Sequence, residues 1–293
     1  MSFKKINLYL IILLLYQIPQ YSKSYSFENF NSRELSKYFS GIVAFENKDN
    51  SLALDFFNSS KILLNKHDPY LNRYIYSQVL ENKIIPAINV VKNNQGKKNS
   101  NSFDTYLLLI LDSIKKSDYK KASLYLKKID TLKELDRFNL AILESLKQYI
   151  FVFKERKILN NKKNLGKLSI ISETFQRCYL GDNSTDKYFS DLINDDEGDY
   201  TRYIFFYLSY LIENNRTEDA EKITKKLDYI NTTLLLSQAK SLIQNKNTKK
   251  LLSVFSCKNP NDVIGEFLFL ISNLYSSQDN FEKSNFYLNL SNF

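Results

Sequence analysis

Apolar residues recur at intervals of three and four along most of this chain, in short runs separated by brief polar turns. That spacing places them on one face of successive amphipathic helices. Five times, two positions on neighbouring predicted helices fall twelve residues apart: Gly41 and Ala53, Ile75 and Ala87, Ile110 and Ala122, Leu208 and Ala220, Ser272 and Ser284. Ala53, Ala87 and Ala122 follow one another by 34 and 35 residues. A period of that length built from two short helices predicts an all-α solenoid of antiparallel helix pairs. The twelve-residue interval has a packing reason. Where two helices cross, a small side chain lets the backbones approach, and bulky neighbours fill the flanking grooves. Ile75, Ile110 and Leu208 are not small, so their crossings are expected to be looser.

The pattern divides the chain into units. The first predicted pair runs from Glu28 to about residue 66, turning at Lys48-Asp49-Asn50, with Ser51 expected as the N-cap of the second helix. Asp68-Pro69 starts the next pair, because proline suits a first helical turn; it turns at Glu81-Asn82-Lys83. Lys92 to Ser102 has no apolar residue and reads as a flexible basic loop. A nucleic-acid arm is the alternative there, but no Arg or aromatic is interleaved for stacking. Residues 103–129 form the clearest pair, turning at Lys116-Ser117-Asp118. One long helix is predicted from Glu134 to Lys157. Degenerate helices are expected near 165–180 and 186–193. Residues 200–229 restore the pattern, 232–256 give a weaker pair and 262–292 a good one. The expected segments are 1–24, 25–129, 130–199 and 200–293: a leader, repeats, degenerate repeats and repeats.

The leader is read from Lys4 and Lys5, the apolar run Ile6 to Ile18, Pro19, and small residues at Ser22 and Ser24. A basic start, a short apolar core and a small-x-small site make a secretory signal, with cleavage expected after Ser24. Thirteen residues of helix rise about 20 Å, short of the roughly 30 Å hydrocarbon layer. The expectation is therefore no stable membrane span after cleavage, with an uncleaved anchor as the alternative. No Cys lies near the end of the run, so a lipid-modified amino terminus is not indicated.

Export would place Cys178 and Cys257 where a disulfide can persist. They are 79 residues apart, about two repeats, which in a solenoid is expected to be too far to bridge. Two separate thiols are expected.

The net charge is +9, and loss of three leader lysines takes it to +6. Attraction to an anionic partner, nucleic acid or a lipid surface, is the functional alternative, but the lysines are scattered and form no Arg-rich stripe, so a solvated surface is the reading and no nucleic-acid partner is expected.

Motif chemistry is sparse. The nearest glycines, Gly166 and Gly181, are fifteen residues apart, so no phosphate-cradling loop can form. His67 is the only histidine, and with two cysteines it cannot complete a four-ligand zinc site. It is read as structural, at a helix end. Asp191, Asp195, Asp196, Glu197 and Asp199 lack the alternating order of a calcium loop and read as a solvated loop. No catalytic residue, metal or cofactor is expected.

The units resemble the tetratricopeptide-repeat family. Tyr106-x-x-Leu109-Ile110 with Tyr119-x-x-Ala122-x-x-x-Leu126 carries most of the family pattern, a large residue, Leu and a small-residue position followed by a small residue and a large one on the second helix. Ile204-x-x-Tyr207-Leu208 with Ala220, Leu268-x-x-Ile271-Ser272 with Phe281 and Ser284, and Gly41-x-x-Ala44 with Ala53-x-x-x-Phe57 repeat it; Pro69 comes four residues late. The resemblance covers most of 35–293 and is weak across 130–199. It implies a right-handed superhelix whose concave face, lined by first helices, binds a protein or peptide. The inward positions would be Tyr38, Asn72, Tyr76, Leu107, Arg202, Phe205, Phe269 and Asn273, with Tyr38, Asn72, Tyr76, Arg202, Phe205 and Asn273 the expected binding residues. The chain also resembles long exported bacterial proteins with such repeats. Its last helix reaches Phe293 without a polar cap, so a fragment, or a chain that docks onto a partner, is expected. The expected function is a non-enzymatic interaction scaffold of the periplasm or envelope. The alternative is an accessory or specificity subunit of an envelope enzyme complex.

Overall fold

The computed structural model describes residues 31–96, 100–133, 135–160, 162–195, 201–227 and 233–293. The predicted leader and its cleavage site lie outside the described residues, as do residues 196–199 of the acidic loop.

The described residues form fifteen α-helices and no strand. They run as α1 (Ser32–Glu46), α2 (Asn50–Ser59), a 3₁₀ turn (Lys61–Asn65), α3 (Asp68–Leu80), α4 (Ile84–Asn93), α5 (Phe103–Lys115), α6 (Tyr119–Asp130) and α7 (Arg137–Glu155). Then come α8 (Lys167–Leu180), α9 (Thr185–Ile193), α10 (Arg202–Glu213), α11 (Thr217–Lys226), α12 (Leu234–Gln244), α13 (Thr248–Leu252), α14 (Pro260–Ser276) and α15 (Phe281–Ser291). All but α7 pair with a sequence neighbour as hairpins. The all-α expectation holds, and the degenerate stretch proves to be helical as well.

All five twelve-residue pairs are buried at hairpin crossings. A Cβ on Gly41 would lie 2.8 Å from the Phe57 ring, so only glycine fits there. Ser272 Oγ donates to the Ser284 carbonyl at 2.8 Å across its crossing. The structure adds a sixth pair in the same register, Ala239 and Leu251, both with no exposed surface. The turn fixes that register. Seven residues after each first position the chain takes a left-handed conformation, at Lys48, Asn82, Ser117, Asn215, Lys246 and Asp279. The next N–H then donates back to the last turn: Asp49 to Ala44, Lys83 to Gln78, Asp118 to Ser113, Arg216 to Leu211, Asn247 to Leu242 and Asn280 to Tyr275, at 2.7–3.0 Å. This is the helix-stop that satisfies orphan carbonyls. Gly181 makes the same turn between α8 and α9, but α9 begins two residues later, which puts it out of register with the others.

Several boundaries differ from expectation. Asp49, not Ser51, caps α2, its carboxylate accepting from Leu52 N at 3.0 Å. Asp118 and Asn280 cap α6 and α15 in the equivalent place. The long helix starts at Arg137, capped by Asp136 on Asn139 N, and stops at left-handed Arg156. Helix α4 ends at Asn93, where the helical pattern stops, and residues 97–99 of the predicted loop are not described.

The last hairpin does not simply extend the array. Helix α15 lies on α3, and α14 lies on α5, α7 and α8. Tyr76 and Phe286 stack with centroids 4.4 Å apart. Asn289 Nδ2 donates to the terminal carbonyls of α3, Val79 at 2.9 Å and Leu80 at 3.0 Å. Phe267 meets Tyr149, and Tyr275 meets Phe138. Lys48 in the first turn reaches Glu282 at 3.0 Å. One continuous core therefore runs from Leu71 to Leu290, with a smaller cluster around Tyr38, Phe57, Tyr70 and Tyr74.

Cys178 and Cys257 form a disulfide with Cα atoms 5.5 Å apart, correcting the expectation of separate thiols. The folding back of α14 onto α8 brings residue 257 to the end of α8, so sequence distance misjudges the gap.

Among the described residues no helix is long and apolar enough to cross a membrane.

Candidate functional site

The predicted inward residues do not share one surface. Tyr38 is buried in the amino-terminal cluster, where its hydroxyl accepts from Arg73 Nη1 at 2.8 Å and lies 3.1 Å from His67 Nε2. His67 also meets the Tyr38 ring edge-on, at the start rather than the end of a helix. Leu107 is wholly buried. Tyr76 is covered by Phe286. Asn72 and Asn273 are exposed. Only Arg202, Phe205 and Phe269 come together.

They line a cleft of about 460 Å³ between α10, α14 and the end of the chain, with Asn261, Asp262, Glu266 and Asn292 on its polar side and Val254 and Phe255 on its apolar side. Helix α10 supplies Arg202 from its first turn and Phe205 one turn later. Arg202 forks onto Glu266, Nε to Oε1 at 2.9 Å and Nη2 to Oε2 at 2.7 Å. Its guanidinium also lies over Phe269 at 4.2 Å and Phe206 at 5.4 Å. A planar guanidinium can satisfy both kinds of contact at once. Glu266 is almost fully buried. Burial raises its pKa, and the Arg202 fork offsets only part of that rise. Burial would lower the Arg202 pKa, but the Glu266 carboxylate outweighs it and the net direction is up.

The floor of the cleft is fixed from outside. Asp262 accepts from Ser256 N at 2.9 Å and from Asn259 Nδ2 at 2.7 Å, and burial raises its pKa. Ser256 Oγ donates to Glu213. Phe255 wedges between Phe206 and Phe175, with centroids 4.5 and 5.7 Å away. The Cys178–Cys257 bond then ties this loop to α8. On α14, Gly265 lets the chain end come close: a Cβ there would sit 2.9 Å from the Ser291 carbonyl.

A ligand of this cleft would be selected by shape. It offers aromatic walls, amide groups and an ion pair whose charges are already matched. Among the described residues, no group of three or more His, Cys, Asp or Glu could hold a metal ion. Asp195 of the acidic loop is paired with Lys167. Glu266 was missed by sequence reasoning. A lone glutamate in an otherwise apolar stretch of helix (Val263 to Ile271) is the signal that marks it, since a buried carboxylate needs a partner.

Comparison with protein-family models, with curated proteins and with solved structures finds no match to this chain.

Proposed function

We propose that the chain is a non-enzymatic interaction scaffold of tetratricopeptide type, a right-handed helical superhelix exported to the cell envelope that binds a protein or peptide. The observation that carries this reading is the repetition of one hairpin: six crossings in the same register, each closed by the same left-handed turn. Repeats of that kind present side chains from successive first helices along one surface. The chain's own last hairpin already lies on α3, α5, α7 and α8. The partner therefore docks where the first-helix surface stays open, at the cleft of Arg202, Phe205 and Phe269. An extended peptide would place an apolar side chain against Phe269 and Val254, with its amides on Asn261 and Asn292.

Site-directed photocrosslinking in the native cell tests this. A photoreactive residue at Phe269 should give one discrete protein adduct, lost when exposed Val254→Asp is added, and a residue at exposed Asn72 should not. Absence of an adduct at Phe269, or equal adducts at both positions, sinks the proposal. Cell fractionation tests the export: a cytosolic chain of full mass would refute it.

A further inference from the structure

Helix α6 carries a surface that the cleft does not use. Ala122, Tyr125, Leu126 and Ile129 bury one side of it against α5 and α7. The opposite side holds Lys120, Lys121, Leu124, Lys127 and Lys128, all exposed. Their spacing of i, i+1, i+4, i+7 and i+8 confines them to an arc of about 120°, with Leu124 at its centre. Leu124 is 59% exposed, an aliphatic side chain framed by four ammonium groups. None of the four lysines has an ion-pair partner among the described residues. The carboxylates at the two ends of the helix are engaged elsewhere: Asp118 caps Lys121 N at 3.0 Å, and Asp130 takes Lys147 at 2.7 Å. Lys128 also lies 5.7 Å from the Tyr125 ring, so its stem follows the helix surface.

We infer that this face of α6 docks on an anionic lipid surface. The charges complement lipid phosphates, and lysines of this length can keep the ammonium at headgroup level while their stems lie deeper. Leu124 then enters the boundary between headgroups and acyl chains. A nucleic acid would use the lysines but leave the leucine unrewarded, and the arc has no arginine or exposed aromatic for stacking on bases. An acidic protein would need counter-charges in a ring around an apolar socket, a more exacting shape than a bilayer. The contact is weak and salt-sensitive by itself. It orients the molecule with α6 against the membrane and adds to the proposed scaffold role without depending on it.

Two measurements on the full chain test this. The first compares binding to phosphatidylcholine vesicles with binding to vesicles containing about one third phosphatidylglycerol, at roughly 0.1 M salt. The variant Lys120→Gln/Lys121→Gln/Lys127→Gln/Lys128→Gln should lose at least about tenfold of the preference for the anionic vesicle, since each lysine at such a surface is worth about fivefold. The control Lys225→Gln/Lys226→Gln/Lys249→Gln/Lys250→Gln removes the same charge from other exposed sites and should keep the preference. Residues 1–30, with Lys4 and Lys5, are common to every protein compared, so the difference belongs to the helices. An equal loss in the control would overturn the proposal in favour of net charge alone.

The second uses the absence of Trp from the sequence. Leu124→Trp should shift its emission to the blue and be quenched by brominated lipid when anionic vesicles are added. The same tryptophan in the four-glutamine background should not respond. An unshifted Leu124→Trp, or one that responds to RNA or a polyacidic protein and not to vesicles, would refute lipid docking.

Discussion

Cys178 at the end of α8 and Cys257 in the loop before α14 are covalently joined although 79 residues separate them. The bond closes a loop that contains α9 to α13 and one wall of the cleft, from Arg202 to Phe255. Denatured, unreduced protein should show no free thiol, and a single reactive thiol would contradict the structure. By the chain-entropy argument, a loop of this length is worth roughly 4 kcal/mol, an upper figure because denatured chains retain structure. Cys178→Ala/Cys257→Ala should therefore lower the urea midpoint clearly while leaving the helical signal intact.

Gly41 has no room for a methyl group. The Phe57 ring atoms lie 2.8 and 2.9 Å from where a Cβ would be, and Phe57 is fully buried and cannot move aside. Gly41→Ala gains helix propensity of about 1 kcal/mol but meets overpacking of about 1–3 kcal/mol. The expected net effect is destabilisation of up to about 2 kcal/mol, measured by urea unfolding. A stabilising result would mean the first crossing is looser than described.

The left-handed turn residues offer the opposite experiment. Ser117 and Lys246 sit at φ 56° and 54°. A side chain there costs about 1–2 kcal/mol, part of which glycine gives back as chain entropy. Ser117→Gly and Lys246→Gly should each stabilise by about 0.5–1 kcal/mol and add when combined, because the turns share no partner. A loss of stability at either would show that the side chain makes a contact the turn geometry does not reveal.

Asp104 lies under the last hairpin, with Oδ2 3.5 Å from Lys283 and Oδ1 buried without a partner. Burial raises its pKa, and Lys283 only partly opposes this. A carboxyl with a folded-state pKa above its unfolded value binds more protons when folded. Its contribution to stability is therefore complete below the ordinary carboxylate range and is lost as pH rises through the raised value. Asp104→Asn should be more stable than the natural chain at pH 7, and the two should converge near pH 4. Asp112 and Glu173 have the reverse sign. Burial works against them, but lysine and arginine hydrogen bonds hold their pKa values down, so their contribution is lost as the solution is acidified. A pH-independent gap between Asp104→Asn and the natural chain would show that Asp104 is not the titrating group.

Arg202→Ala would leave Glu266 buried and unpaired. Because Arg202 is itself 39% exposed, water would enter and moderate the penalty. The expected loss is about 2 kcal/mol, and Arg202→Met/Glu266→Leu should recover most of it. If the double variant is as unstable as Arg202→Ala, the pair does more than neutralise itself.

Much of this molecule is local and could be read from its sequence. Gly41, Ala53, Ala87, Ala122 and Ala220 mark crossings because small side chains are what a close helix approach requires. The polar turns fall where the left-handed residues are found. The pair of Ala239 and Leu251 gave no such mark, since a leucine at a crossing looks like any other core residue. Only the turn at Lys246 reveals it. The cap falls on Asp49 rather than Ser51 because the left-handed residue Lys48 sets where the turn ends.

The site was less legible. The repeat pattern places Arg202 and Phe205 on the same face of one helix, and the structure sets both beside the cleft. Glu266 with Arg202, the disulfide, and the covering of Tyr76 by Phe286 are contacts between hairpins far apart in the chain, which no single unit encodes. Hydrogen bonds and contacts within a dozen residues set the helices, their pairing and their turns, so these are legible along the chain. The return of the last hairpin to α3 and α8 rests instead on contacts between residues about 210 apart, such as Asn289 with Val79 and Leu80, which no local pattern encodes.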